Sequence, residues 1–214
     1  FGSSLALNTF LVQSSDEDSA QRGLGFGLQA SLSQPEWKFS FANIATQSEF
    51  SPGMGYVRRP GEMMNKAVVQ WKPLPDNSAV RQYDFMVAPE VWTNLDGDLI
   101  SSTLRLGLFG AEFQDGTSVK FHTKIMRDRP DSDYEVADGV TMSAGDYSWM
   151  EHMLKYSTST RETWSYGTYL SGGQYYDGSI IKLNTDLTYR PSVSSKIQLS
   201  YSENRGHLPG GDFT

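Results

Sequence analysis

The sequence predicts an all-β protein, an antiparallel up-and-down meander of about 10–12 long strands, and two observations support this fold class. Apolar residues recur at every second position in run after run, which is typical of strands with one apolar and one polar face. Asp-Gly pairs that begin at Asp96, Asp115, Asp138 and Asp177 separate several of these runs, and such pairs favour tight hairpin turns.

The alternation predicts eleven strands, at roughly 5–13, 23–33, 36–47, 62–72, 80–92, 99–113, 117–127, 146–157, 161–170, 179–190 and 196–204. The clearest places Leu24, Phe26 and Leu28 on one face, and a second alternates from Ile181 to Tyr189. Further strands are defined, in chain order, by Trp37, Phe39 and Phe41; by Ala67, Val69 and Trp71; by Tyr83, Phe85 and Val87; by Leu104, Leu106 and Leu108; by Val119, Phe121 and Ile125; by Trp164, Tyr166 and Leu170; and by Ile197, Leu199 and Tyr201.

The connections between these strands alternate between long and short, which favours part of a transmembrane β-barrel. Periodicity alone also allows a soluble β-sandwich with a solvated outer face. Bacterial barrels have short periplasmic turns and long outer loops, and their strands need about 9–11 residues to cross the hydrocarbon layer. Aromatic residues near predicted strand ends suit interfacial girdles: Trp37, Trp71, Trp92, Tyr156, Tyr189 and Tyr201. The predicted long outer connections are 14–22, 48–61, 93–98, 128–145 and 171–178, and the short periplasmic ones include 34–35, 114–116 and 158–160.

Composition excludes several classes of function. The chain has 18 Lys plus Arg against 25 Asp plus Glu, a net charge of −7, which argues against a nucleic-acid partner. It has no cysteine, so disulfides, zinc-thiolate sites and thiol nucleophiles are excluded. The longest apolar run, 85–88, is far shorter than the roughly 20 residues of a transmembrane helix.

The polar faces of the predicted strands supply candidate lumen-facing residues of a barrel. These candidates are Lys66, Gln70, Asp84, Arg105, Lys120, His122, Lys124, Lys182, Asp186 and Arg190. In a barrel with a wet interior, such side chains line the lumen while the apolar face contacts lipid.

Several segments resemble a known family. They are EFSPGMGYVRRP at 49–60, EFQDG at 112–116, GVTMSAGDY at 139–147, GQYYDG at 173–178 and LSYSENRGHLP at 199–209. In this order they are similar to stretches of a bacterial outer-membrane β-barrel domain family of unknown function, which usually follows a family 9 carbohydrate-binding module.

The resemblance implies a bacterial outer-membrane location and outer-membrane lipid as a partner. It also implies that residues 1–214 form a single barrel segment of a longer chain that includes an N-terminal sugar-binding module. The expected role is transport or surface anchoring linked to carbohydrate handling. The start at Phe1, without a targeting signal, is likewise expected of a piece of a longer protein.

The alternative function is a soluble or surface-attached β-rich carbohydrate-binding domain, or part of a glycan-degrading hydrolase. Flat aromatic rings that stack on sugars would then be Trp92, Trp149, Trp164, Tyr175 and Tyr176. A hydrolase would need a pair of carboxylates, and those on or near predicted strands are Asp84, Glu112, Glu151 and Asp186.

No catalytic residue, metal site or cofactor is predicted for this segment. His122, His152 and His207 lack the spacing of zinc ligands. The acidic run from Asp128 to Asp138 is interpreted as a solvated loop, with a loosely bound divalent cation as the alternative.

Overall fold

The structure is a computed structural model that describes residues 4–15, 22–52, 57, 59–76 and 79–214, and this part of the chain is all-β. The strands are β1 (Ser4–Ser15), β2 (Arg22–Ser33), β3 (Trp37–Thr46), β4 (Glu62–Trp71), β5 (Val80–Tyr83), β6 (Phe85–Asn94), β7 (Leu99–Phe113), β8 (Ser118–Asp128), β9 (Tyr134–Ala137), β10 (Val140–Met142), β11 (Tyr147–Ser157), β12 (Trp164–Tyr175), β13 (Gly178–Ser192), β14 (Ser195–Leu208) and β15 (Gly211–Phe213).

Thirteen of these strands form one antiparallel sheet in the order β1-β2-β3-β4-β6-β7-β8-β11-β12-β13-β14-β15, with β5 paired to β7. Strands β9 and β10 form a separate hairpin within the connection 129–146. The predicted all-β antiparallel meander is therefore confirmed. Barrel closure is a separate matter: in the described chain the sheet is open, since β1 pairs only with β2, and β14 pairs with β13 and, at one end, with β15.

Each predicted strand matches a described one, but some boundaries differ. The predicted strand 80–92 is interrupted at Asp84, whose carboxylate accepts hydrogen bonds from Gln70 and Lys120. The predicted loop 171–178 is wrong, because β12 and β13 extend to leave only the turn 176–177. At Gly173 an added Cβ would lie 2.3 Å from the Met150 carbonyl oxygen, so this glycine permits close strand approach.

The sheet has two chemically different faces. The strand registers place Leu28, Leu106 and Leu187 on an apolar face, and Lys66 and Lys124 on the opposite, polar face. Each of the eleven long strands exposes at least one large hydrophobic side chain on the apolar face. One such residue from each strand, in chain order, is Leu5, Phe26, Phe39, Val69, Val87, Phe109, Ile125, Leu154, Leu170, Leu187 and Leu199.

The connections divide between the two ends of the sheet. The upper end is defined by the two longest, 47–61 and 129–146, and the lower end by 34–36, 72–79, 114–117, 158–163 and 193–194. The connections 95–98 and 176–177, also at the upper end, are short, whereas 47–61 and 129–146 keep about the predicted length. Most of the predicted loop 14–22 lies outside the described residues.

An aromatic band follows the lower end of the apolar face. Trp37 stacks on Trp71 with ring centroids 5.8 Å apart, Trp71 stacks on Phe85, and Trp164 stacks on Tyr189 at 4.2 Å. The other members are Tyr83, Phe109, Tyr156 and Tyr166. Of the aromatic residues predicted at strand ends, Trp92 lies on the polar face near the upper end, and Tyr201 lies farther from the strand end, on the apolar face.

Among the described residues, no helix has the length and apolar character to cross a bilayer.

Candidate functional site

The polar face gathers all ten polar residues predicted from the alternation. Cross-strand registers pair Lys66 with Glu90, Arg105 with Lys124, and Gln70 with Met86 on this face. Lys182 and Asp186 share it through β13, and Arg190 follows near the lower end, where its guanidinium donates to the Thr160 carbonyl. That these residues line a lumen stays a prediction, because the sheet is open.

The middle of the polar face holds a cluster of lysines around two carboxylates. Glu151 is 2% exposed, and its oxygens lie 3.5 Å from Lys182 Nζ and 3.9 Å from Lys124 Nζ. Asp84 accepts hydrogen bonds from Lys120 Nζ at 2.5 Å and from Gln70 Nε2 at 2.6 Å. Burying a carboxylate in this way requires nearby cations, because an unpaired buried charge is strongly disfavoured.

Lys155 belongs to this cluster and was missed by the prediction from sequence. It lies opposite Lys120 in the register of β8 and β11, on the same face as Glu151 and Met153. The signal was available in the sequence, since Trp149, Glu151, Met153 and Lys155 occupy every second position of β11.

An upper aromatic cluster lies on the same face near the connection 129–146. Trp149 contacts Tyr176 with ring centroids 4.4 Å apart and meets Tyr175 edge-on at 6.2 Å. Tyr147 meets Tyr176 edge-on at 5.2 Å. Trp149 is buried, at 7% exposure, so this ring is not free to stack on a sugar in the described conformation.

Tyr176 is held in an unusual backbone conformation within the turn 176–177. Its φ is 51°, a region that side chains other than glycine rarely occupy, and its hydroxyl donates to Asp128 Oδ2 at 2.7 Å. Burial and this hydrogen bond raise the pKa of Tyr176 above its ordinary value. The turn is thereby tied to the upper end of β8.

The connection 129–146 is anchored at its base by an ion cluster. Arg127 donates two hydrogen bonds to the Asp146 carboxylate, at 2.6 and 2.9 Å, and Arg129 Nε donates another at 2.9 Å. Hydrogen bonds from these two guanidinium groups hold the pKa of Asp146 well below its usual range. Val140 and Met142 of the hairpin are buried, at 4% and 5% exposure.

The structure separates the other residues predicted to stack on sugars. Trp164 is 56% exposed in the aromatic band of the apolar face, at the opposite end of the sheet from Tyr175 and Tyr176. Trp92 lies on the polar face, where the Arg59 guanidinium sits 4.8 Å above its ring. The five aromatic residues therefore do not form one sugar platform.

The acidic residues of the described chain form no group of three or more side chains that could hold a metal ion. In the acidic loop, Asp133 accepts from the Ala144 amide and Glu135 from the Gly139 amide. Of the strand carboxylates considered for glycoside hydrolysis, Asp84 and Glu151 are engaged by lysines and Glu112 by Arg81, whereas Asp186 accepts from Gln198 and Ser200. Each has a structural partner.

The chain matches no protein-family model, no curated protein and no solved structure. The resemblance of its segments to an outer-membrane barrel domain stays a prediction.

Proposed function

We propose that this chain is a segment of a bacterial outer-membrane β-barrel, with a polar lumen and outer loops at the upper end. Its role is transport or surface anchoring linked to carbohydrate handling. The observation that carries the proposal is the apolar face, where each of the eleven long strands exposes a large hydrophobic side chain.

Lipid is the environment that best accounts for such a face. Continuous apolar patches larger than a few hundred Å² are rare on soluble monomers and mark contact with a partner or a membrane. Burial of apolar surface stabilises by about 25 cal/mol per Å², so a bare face across the whole sheet favours association with an apolar phase.

The aromatic band supports the same environment. Tryptophan and tyrosine concentrate where a membrane meets water, since their rings are apolar and their N–H or O–H groups need polar partners. The lower end of the sheet carries Trp37 and Trp71 on the neighbouring strands β3 and β4. It also carries Trp164 and Tyr189 on the neighbouring strands β12 and β13. This arrangement fits the interface nearer the periplasm.

A membrane location also requires the sheet edges to be paired. Unpaired backbone groups in hydrocarbon cost several kcal/mol each, and both β1 and most of β14 have one open edge. We therefore expect the barrel to close through further strands of a longer chain. The link to carbohydrate comes from the resemblance alone.

Two adjacent positions of β2 test the proposal. Leu28 lies on the apolar face and Gln29 on the polar face, near the middle of the strand. Leu28→Arg should destabilise the folded barrel by about 2–4 kcal/mol, the cost of an arginine at the lipid-facing midplane, whereas Gln29→Arg should have a much smaller effect. The measurement is unfolding of the detergent-folded full chain, with heat-modifiable migration to verify folding. Equal damage from both variants would refute the lipid-facing assignment.

A further inference from the structure

The charge of the polar face differs in sign from that of the chain. The chain carries a net charge of −7. A cationic stripe nonetheless crosses the middle of the polar face, formed by Arg105, Lys120, Lys124, Lys155 and Lys182. The carboxylates that contact it are Asp84 and Glu151.

Neighbouring charges on this face do not offset the excess. Lys66 pairs with Glu90 at 2.9 Å, and Arg81 pairs with Glu112 at 2.6 Å, so each of these pairs neutralises itself. Asp186 lies closer to the lower end and accepts from Ser200 and Gln198. The stripe thus keeps a positive balance.

Two members of the stripe have no carboxylate partner. No carboxylate oxygen of the described chain lies within 4.0 Å of the Arg105 or Lys155 side-chain nitrogens, and both residues are exposed. Their donors remain available for a ligand.

The register sets like charges against each other. Arg105 lies directly opposite Lys124, and Lys120 lies directly opposite Lys155. Like charges at directly opposed positions of antiparallel strands are destabilising. An anion between the strands would relieve this repulsion, and a guanidinium can hold a carboxylate, sulfate or phosphate group through two parallel hydrogen bonds.

We propose that the cationic stripe is a binding surface for anionic solutes. This inference rests on the proposed function, in which the polar face lines a barrel lumen. The stripe then makes that lumen anion-selective. The shared ligand chemistry is a negative charge. It comes either from a small inorganic anion, such as a halide, sulfate or phosphate, or from the carboxylate or sulfate group of an acidic sugar. Cations close to a permeation path raise the local concentration of anions, because a low-dielectric wall focuses their field.

The test measures the ion selectivity of the full-length protein, including the strands expected to close the barrel, in planar lipid bilayers. Under a KCl gradient the reversal potential should give a chloride-to-potassium permeability ratio above 1. The double variant Arg105→Gln with Lys155→Gln should lower that ratio several-fold. Arg161→Gln is the control: it removes one positive charge outside the stripe, in the lower connection 158–163, and should leave the ratio unchanged.

A second arm distinguishes the source of the anion. Trigalacturonate, which carries three carboxylates, should block the current at a lower concentration than the neutral sugar maltotriose if acidic sugars are the ligand; equal block by the two sugars, with chloride selectivity retained, indicates small inorganic anions.

The outcomes separate the two proposals. A conducting channel that is cation-selective, or whose selectivity the double variant does not change, overturns the anion surface and leaves the barrel proposal intact. Folded, membrane-inserted protein without conductance overturns the lumen on which the inference rests. Circular dichroism and heat-modifiable migration verify that each variant is folded.

Discussion

Tyr176 shows how a single residue stores and offsets backbone strain. A non-glycine residue in the left-handed region costs about 1–3 kcal/mol and persists only where its surroundings hold it. At φ 51°, the Tyr176 ring packs on Tyr147 and Trp149, and its hydroxyl is bonded to Asp128. The turn between β12 and β13 is therefore fixed to β8 by a side chain.

Removing the Tyr176 hydroxyl tests this anchoring. Tyr176→Phe keeps the ring and the backbone but loses the hydrogen bond to a carboxylate, so we expect it to destabilise the folded protein by about 1.5 kcal/mol. The measurement is the unfolding free energy of detergent-folded protein in denaturant. Tyr134→Phe is the control, since Tyr134 is 62% exposed and has no hydroxyl hydrogen bond in the described chain. Equal losses in both variants would contradict the anchoring role.

At the scale of the element, β2 shows why glycine occurs inside a strand. Gly23, Gly25 and Gly27 face the polar side, where Phe50 lies over the first two and the Phe10 ring lies over Gly27. A Cβ at Gly27 would lie 2.1 Å from the Phe10 ring, and one at Gly23 would lie 2.2 Å from the Phe50 backbone nitrogen. Gly23 and Gly25 make room for the start of the connection 47–61, and Gly27 makes room for the Phe10 ring.

Two alanine substitutions distinguish a crowded glycine from an open one. Gly23→Ala forces the Phe50 backbone to move, and overpacking of this kind typically costs about 1–3 kcal/mol. Gly167→Ala in β12 places its Cβ where nothing lies within 4 Å, so we expect no loss of stability. Refolding yield and unfolding in denaturant measure the stability of both variants. Equal stability of the two variants would show that the connection 47–61 does not pack on β2 as described.

The elements were largely predictable from sequence because a strand with one apolar face repeats every two residues, as Leu24, Phe26 and Leu28 do. The interruption at Asp84 was not, since it depends on contacts with Gln70 and Lys120, distant in sequence. The same holds for the polar face: alternation assigns residues to it, but the burial of Glu151 between Lys124 and Lys182 requires three separate strands to be aligned.

At the scale of the whole molecule, the described chain reverses the usual distribution of polarity. Its larger hydrophobic residues cover an exposed face, while Glu151 and Ser171, at 2% and 1% exposure, are among its most buried residues. Buried apolar side chains such as Val140, Met142 and Leu208 lie near the upper end, where the hairpin of β9 and β10 adjoins β15. This distribution suits a sheet whose apolar side faces lipid and whose polar side faces water.

For the proposed barrel, the connections predict which end of the sheet faces the cell exterior. The two longest, 47–61 and 129–146, share the upper end, and long polar loops are placed outside the cell in bacterial barrels. Two Asp-Gly turns offer matched insertion sites: the tip between β9 and β10 at Asp138, and the turn between β7 and β8 at Asp115. Epitope tags inserted there should be labelled on intact cells at Asp138 and only after permeabilisation at Asp115. Labelling of Asp115 alone on intact cells would reverse the orientation, and equal labelling of both would contradict a membrane-spanning sheet.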